Sequence, residues 1–184
     1  SSVSANGVWG FDYKADDLID IQGLTYYRRY YDSAADLAAY RTSEVDIRIK
    51  TDNNEYSFSN VPRQWGEGLS PIILSKKAPN YPTIGFTNNI GDNLKFSYFY
   101  GNLDINHQGN QDSDLYGYYV YKSISAHKLE YHFTNDIKVN LYELVIYDRT
   151  LELNYINPFM VYYPISRYLG KNDNSQLGIE FIYH

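Results

Sequence analysis

Two groups of residues in this chain could do chemistry on a carbohydrate. Arg63, Trp65 and Glu67 set an aromatic platform between a cation and a carboxylate, and Glu143, Arg149 and Asn157 add planar charged and amide groups. Sugars are held by aromatic faces and by planar hydrogen-bonding side chains, so both groups are candidates for glycan binding. The same residues also suit a structural role, as buried ion pairs or as a clamp on a folded-in segment.

Catalytic arrangements have less support. Ser125 and His127 would share a strand face, with Ser123 nearby, but a hydrolase also needs a group that orients the histidine, and no second motif supplies it. Glu67, Glu130, Glu143 and Asp148 are the carboxylates from which a glycoside-cleaving pair would have to come. His107, His127, His132 and His184 show no metal-ligand spacing with carboxylates. Asp112 and Asp114 lie in a Gly-Asn-rich loop, but their ligand count falls short of a calcium site and a solvated turn accounts for them. The chain therefore reads as non-enzymatic, with no cofactor and no metal.

Composition narrows the partners. The formal net charge is -6, so counterion release on DNA offers nothing and nucleic acid is excluded as a partner. Tyr occurs 22 times, beside 8 Phe and 2 Trp, and tyrosine is both a strand former and a ring suited to a membrane–water interface. Cysteine is absent, which removes disulfides and thiolate metal sites. No apolar run approaches the ~20 residues of a membrane helix.

The elements that must position these residues are strands. Val45, Ile47 and Ile49 alternate with Asp46, Arg48 and Lys50, and the same alternation runs through Leu94–Tyr100, Leu129–Phe133 and Leu177–Tyr183. Further strands are predicted at Val8–Tyr13, Leu18–Tyr31, Tyr56–Val61, Tyr116–Lys122, Ile137–Tyr147 and Leu151–Ile156, about ten or eleven in all. Asn-, Asp- and Gly-rich runs separate them, and Asn135-Asp136 predicts a tight hairpin. Ser33–Tyr40 predicts a loop with a helical turn. Regular alternation from Ile137 would put Glu143 on the apolar face, so a one-residue bulge near Leu141–Tyr142 is predicted, moving Glu143 to join Lys138 and Asn140.

Alternation fits both a transmembrane barrel and a soluble sandwich. Two features favour the barrel. Arg48, Glu130, His132 and Lys138 sit well inside strands, as a wet lumen tolerates, and Leu18–Tyr31 outruns the ~9–11 residues that cross a bilayer. That run ends in Tyr26-Tyr27-Arg28-Arg29-Tyr30-Tyr31, where Arg28 and Arg29 could meet lipopolysaccharide phosphates.

Residues 62–82 break the hairpin rhythm with Pro62, Gly66, Gly68, Pro79 and Pro82, and predict a segment folded inward or over a barrel mouth, with Trp65 packed and Arg63 or Glu67 paired. Arg63-Gln64-Trp65-Gly66-Glu67-Gly68, then Leu74-Ser75 and Ala78-Pro79, resembles the central signature of the Wzi-type capsule-assembly outer-membrane proteins. Glu143, Tyr147-Asp148-Arg149, Leu153, Tyr155, Asn157-Pro158 and Asn174 resemble a second segment of that family, so the likeness runs over roughly residues 45–184. The resemblance implies an outer-membrane barrel of about eighteen strands that acts as a surface lectin for capsular polysaccharide. On that basis Arg63, Trp65, Glu67, Glu143, Arg149 and Asn157 form a glycan-binding or lumenal polar cluster.

The expectation is thus an all-β, antiparallel up-and-down transmembrane β-barrel in the bacterial outer membrane, with residues 1–184 an incomplete segment of a larger barrel. Two features carry the expectation of a segment: too few strands, and His184 standing after Tyr183 where a barrel ends on its aromatic. The expected partners are capsular polysaccharide or exopolysaccharide, outer-membrane lipid and lipopolysaccharide. The alternatives are a soluble lectin-like β-sandwich and an outer-membrane barrel hydrolase.

Overall fold

The computed structural model describes residues 2–13, 30–32, 37–66, 74–75, 80–103, 105–106, 119–120, 122–148, 151–169 and 173–183. The strands are β1 (Ser2–Tyr13), β2 (Tyr30–Asp32), β3 (Leu37–Lys50), β4 (Asn54–Ser59), β5 (Thr83–Ile90), β6 (Leu94–Asn102), β7 (Ile105–Asn106), β8 (Tyr119–Val120), β9 (Ser123–His132), β10 (Ile137–Tyr147) and β11 (Asn174–Tyr183). Two short helices, α1 (Leu153–Ile156) and α2 (Tyr162–Leu169), lie between β10 and β11.

Strands β1, β3, β4, β5, β6, β9, β10 and β11 follow one another in a single antiparallel up-and-down sheet. The sheet ends at β1 and β11 and is not closed on itself. β2 pairs with the first residues of β3, and β7 pairs with β8. Among the described residues, no helix is long and apolar enough to cross a membrane.

The connections are sorted by end. Residues 51–53, 91–93 and 133–136 make the short turns at one end, while residues 14–36, 60–82, 103–122 and 148–173 make the long connections at the other. The predicted 135–136 hairpin is one of these turns, where the Thr134 hydroxyl accepts from the N–H groups of Asp136 and Ile137.

Register sorts the residues of the main sheet from Glu44 onward into two faces. One face carries Ile47 and Ile49 of β3, Tyr56 and Phe58 of β4, Ile84 and Ile90 of β5, Phe96 of β6, Leu129 of β9, Leu141 of β10 and Ile179 and Phe181 of β11. Much of it is bare: Phe58 is 58% exposed, Ile179 60% and Phe181 73%. The other face carries Arg48, Glu55, Lys95, Lys128, Glu130, His132, Lys138 and Glu180. Period-two patterning has therefore produced an apolar face without a core over most of its area, opposite a charged face.

Several sequence expectations change here. The bulge is absent: β10 pairs without interruption through Leu141 and Tyr142 on both its neighbours. Glu143 consequently stays on the apolar face, opposite His127, and does not join Lys138 and Asn140. The predicted Leu151–Ile156 strand is a helix, because the Glu152 carboxylate caps the Asn154 N–H and the Tyr155 ring turns inward onto Tyr147. Residues 37–40 of the expected helical turn belong to β3. Strand β5 was hidden by the prolines and asparagines around it, and of Leu18–Tyr31 only Tyr30 and Tyr31 are described.

β5 also crosses its neighbour at close range. A Cβ at Gly85 would lie 2.5 Å from the Tyr98 carbonyl oxygen and 2.8 Å from the Phe99 Cβ. Neither atom can swing away, so Gly85→Ala is expected to cost about 1–3 kcal/mol, read as a lower denaturant midpoint.

Candidate functional site

The polar face has two halves. Toward the long connections it is covered by the segment after β4. The Asn60 side chain accepts from the Val45 N–H at 2.6 Å, and the chain turns at Pro62 back over the sheet. Arg63 then donates to the Ser57 hydroxyl at 2.8 Å and to the Thr83 hydroxyl at 3.2 Å, with its guanidinium 4.9 Å from the centre of the Phe99 ring. Burial lowers the Arg63 pKa and raises that of the neighbouring Tyr81 from their ordinary values.

Trp65 anchors this segment. Its N–H donates to the Leu74 carbonyl at 3.2 Å, its ring meets Phe99 edge-on at 5.2 Å, and Tyr142 lies 6.0 Å away. Trp65, Leu74, Tyr81, Phe99, Ile124, Ala126, Tyr142 and Leu144 make one buried cluster on the polar side. Gly66 follows at φ 114, a conformation that disfavours any side chain. At 8% exposure, Trp65 packs as a core residue and offers no open stacking face. Glu67 lies outside the described residues.

Toward the short turns the polar face is charged. Arg48 binds Asp46 at 2.9 Å and Glu55 at 3.0 Å, and Lys50 reaches Glu55 at 3.1 Å. Glu130 takes Lys128 at 3.0 Å and His132 at 3.1 Å. Lys95, Glu130, Asn140 and Glu180 form one row across four strands. In that row Asn140 donates to Glu180 at 2.9 Å, and the Tyr142 hydroxyl also donates to Glu180. The Arg48 and Lys50 pairs are exposed and add little stability, whereas Glu130 and Asn140 are buried and hold the half-buried Lys95 and Glu180 at the two ends of the row. Asn140, Lys95 and Glu180 were not singled out from sequence, although each is the polar member of an alternating strand.

The second sequence group does not assemble with the first. Glu143 sits on the opposite face, 4% exposed, with His127 Nε2 3.1 Å from one carboxylate oxygen and the Tyr163 N–H 2.7 Å from the other. Asn157 is an exposed residue at the end of α1, and its side chain accepts from the Phe159 N–H at 3.1 Å. Arg149, Arg28 and Arg29 lie outside the described residues.

The covering helix explains how a carboxylate survives there. α2 presents Tyr162, Ile165, Ser166 and Leu169 to the sheet, with the Tyr162 ring 4.7 Å from His127 and the Ser166 hydroxyl 3.0 Å from that of Ser175. Burial pushes the Tyr162 hydroxyl pKa up. Helical spacing of those four residues was the available signal, and Ser166 blurred it. Ser125 is fully buried on the same face, and its hydroxyl makes no hydrogen bond to the His127 ring. Among the described residues, no group of acidic residues and histidines is arranged to hold a metal ion.

Comparison with protein-family models, with curated proteins and with solved structures returns no match to this chain.

Proposed function

We propose that this sheet is part of the wall of a bacterial outer-membrane β-barrel that binds capsular polysaccharide or exopolysaccharide and takes part in its assembly or attachment at the surface, without catalysis. The observation that carries the reading is the division of the sheet: a bare apolar face toward lipid, and a charged face with a segment packed on it toward a lumen. The sorting of short turns to one end and long connections to the other supports it, as does the length of β6, β9, β10 and β11, close to the ~9–11 residues of a spanning strand. The resemblance of residues 63–79 and 143–174 to the Wzi-type family supplies the glycan. On this reading the ligand meets Lys95 and Glu180, the half-buried ends of the row that the buried Glu130 and Asn140 hold in place, and not Trp65.

Fractionation and binding test both parts. The protein is expected in the detergent-extracted membrane fraction, and the purified protein should retain acidic capsular polysaccharide, with roughly tenfold weaker retention in Lys95→Ala/Glu180→Ala for the loss of two charge-assisted contacts. Recovery in the aqueous fraction without detergent would instead indicate the soluble lectin-like sandwich. A barrel hydrolase is a second reading, favoured by the carboxylate that holds His127 on the strand face it shares with Ser125. It requires phospholipid or glycan turnover that disappears in His127→Ala.

A further inference from the structure

We infer that residues 151–169 form an in-plane membrane clip, lying at headgroup depth in the bilayer leaflet on the side of the long connections. The inference rests on the barrel-wall reading and adds to it a lipid-binding element outside the strands.

The segment is fastened to the lipid-side face of the sheet, not to the polar face. The Tyr98 hydroxyl donates to the Ile156 carbonyl at 2.8 Å, Tyr155 packs on Tyr147, and Glu143 holds the first turn of α2. Phe159 stacks on Phe96 at 5.5 Å, which makes the outside of the segment continuous with the apolar strand face.

What the segment turns outward is interfacial in character. Phe159 is 78% exposed and Tyr168 89%. Between them Tyr163 and Arg167 share a hydrogen bond at 3.3 Å, the guanidinium 5.3 Å from the ring centre. Exposed aromatic rings with one cation suit the boundary where hydrocarbon gives way to phosphates, and suit neither bulk water nor the bilayer centre. On β10 the segment stops at Glu143 and leaves Leu141 and Ile137 bare, while Phe159 on Phe96 is its deepest point, in the register row of Leu141.

The location of Glu143 follows from the same arrangement. In strands β4–β6 and β9–β11 the only acidic or basic side chains on the apolar face are His127 and Glu143. Both are closed off from lipid by the clip, which receives its anchor from them in return.

The chain has no cysteine, so single labels are clean. The full chain is labelled with an environment-sensitive fluorophore at Phe159→Cys, Tyr168→Cys or Leu141→Cys and reconstituted in phosphatidylcholine–phosphatidylglycerol vesicles. Nitroxide lipids carrying the quencher at the headgroup or at mid-chain report depth. At 168 the headgroup nitroxide should quench roughly twofold more than the mid-chain one, as for an element about 5–10 Å below the surface, with 159, which packs on Phe96, quenched by both lipid nitroxides. At 141 the order should reverse. If 141 follows the mid-chain nitroxide while 159 and 168 respond only to aqueous iodide, the clip is refuted and the barrel wall stands. Stronger mid-chain than headgroup quenching at 168 also refutes the clip. If none of the three responds to lipid nitroxides, the clip and the barrel-wall reading fail together.

Discussion

Glu143→Ala is expected to destabilise the folded protein by roughly 2–5 kcal/mol, the cost of leaving two buried donors without their acceptor. Two donors lose their acceptor at once: His127 Nε2 and the Tyr163 N–H. The Tyr162 ring and the helix cover most of the site, with the His127 side chain 18% exposed, so water replaces the lost acceptor poorly. The loss should show as a lower denaturant midpoint in detergent and as new protease cleavage within residues 151–169. Glu143→Gln keeps an acceptor for Tyr163 and should lose clearly less. A cost below about 1 kcal/mol for the alanine variant, the value of an exposed pair, would contradict the anchoring role.

Trp65→Ala should cost about 3–5 kcal/mol, as expected for removing a large aromatic from a core. Its ring is shared between the Phe99 edge and Tyr142, with Leu74 bridged to its backbone, so nothing nearby can collapse into the space. The segment after β4 should then detach and expose Arg63 and Tyr81 to solvent. Iodide quenching of the remaining Trp9 and protease sensitivity of residues 60–82 separate local detachment from global unfolding. An unchanged stability would place Trp65 outside the core.

Strands were the most legible part of this chain. The Val45–Lys50, Leu129–Tyr131 and Leu177–Tyr183 alternations translate directly into register, since a face left bare needs no information from elsewhere in the chain. Where one element covers another, sequence pattern misled. Glu143 violates the apolar face of β10, and a bulge was the local remedy; the actual remedy is a helix twenty residues further along, donating a backbone N–H. Leu151–Ile156 alternates like a strand, yet its conformation is decided by a cap at Glu152 and by Tyr155 packing on Tyr147. For the candidate site, Arg63 and Trp65 were recognisable as neighbours, but the role of Trp65 was set by Phe99 and Tyr142, residues of distant strands. The row of Lys95, Glu130, Asn140 and Glu180 exists only once four strands are in register.

The central claim is that the bare face of the sheet meets lipid. Cysteine labels placed one at a time from Ile137 to Leu141, in the protein reconstituted in vesicles, test it most directly. Labels at Ile137, Val139 and Leu141 should be quenched by lipid-borne nitroxide and shielded from aqueous iodide, with Lys138 showing the opposite and the buried Asn140 shielded from lipid, a period of two in lipid contact along β10. Loss of that alternation, or odd positions shielded from both quenchers as they would be beneath a second sheet, would contradict the account.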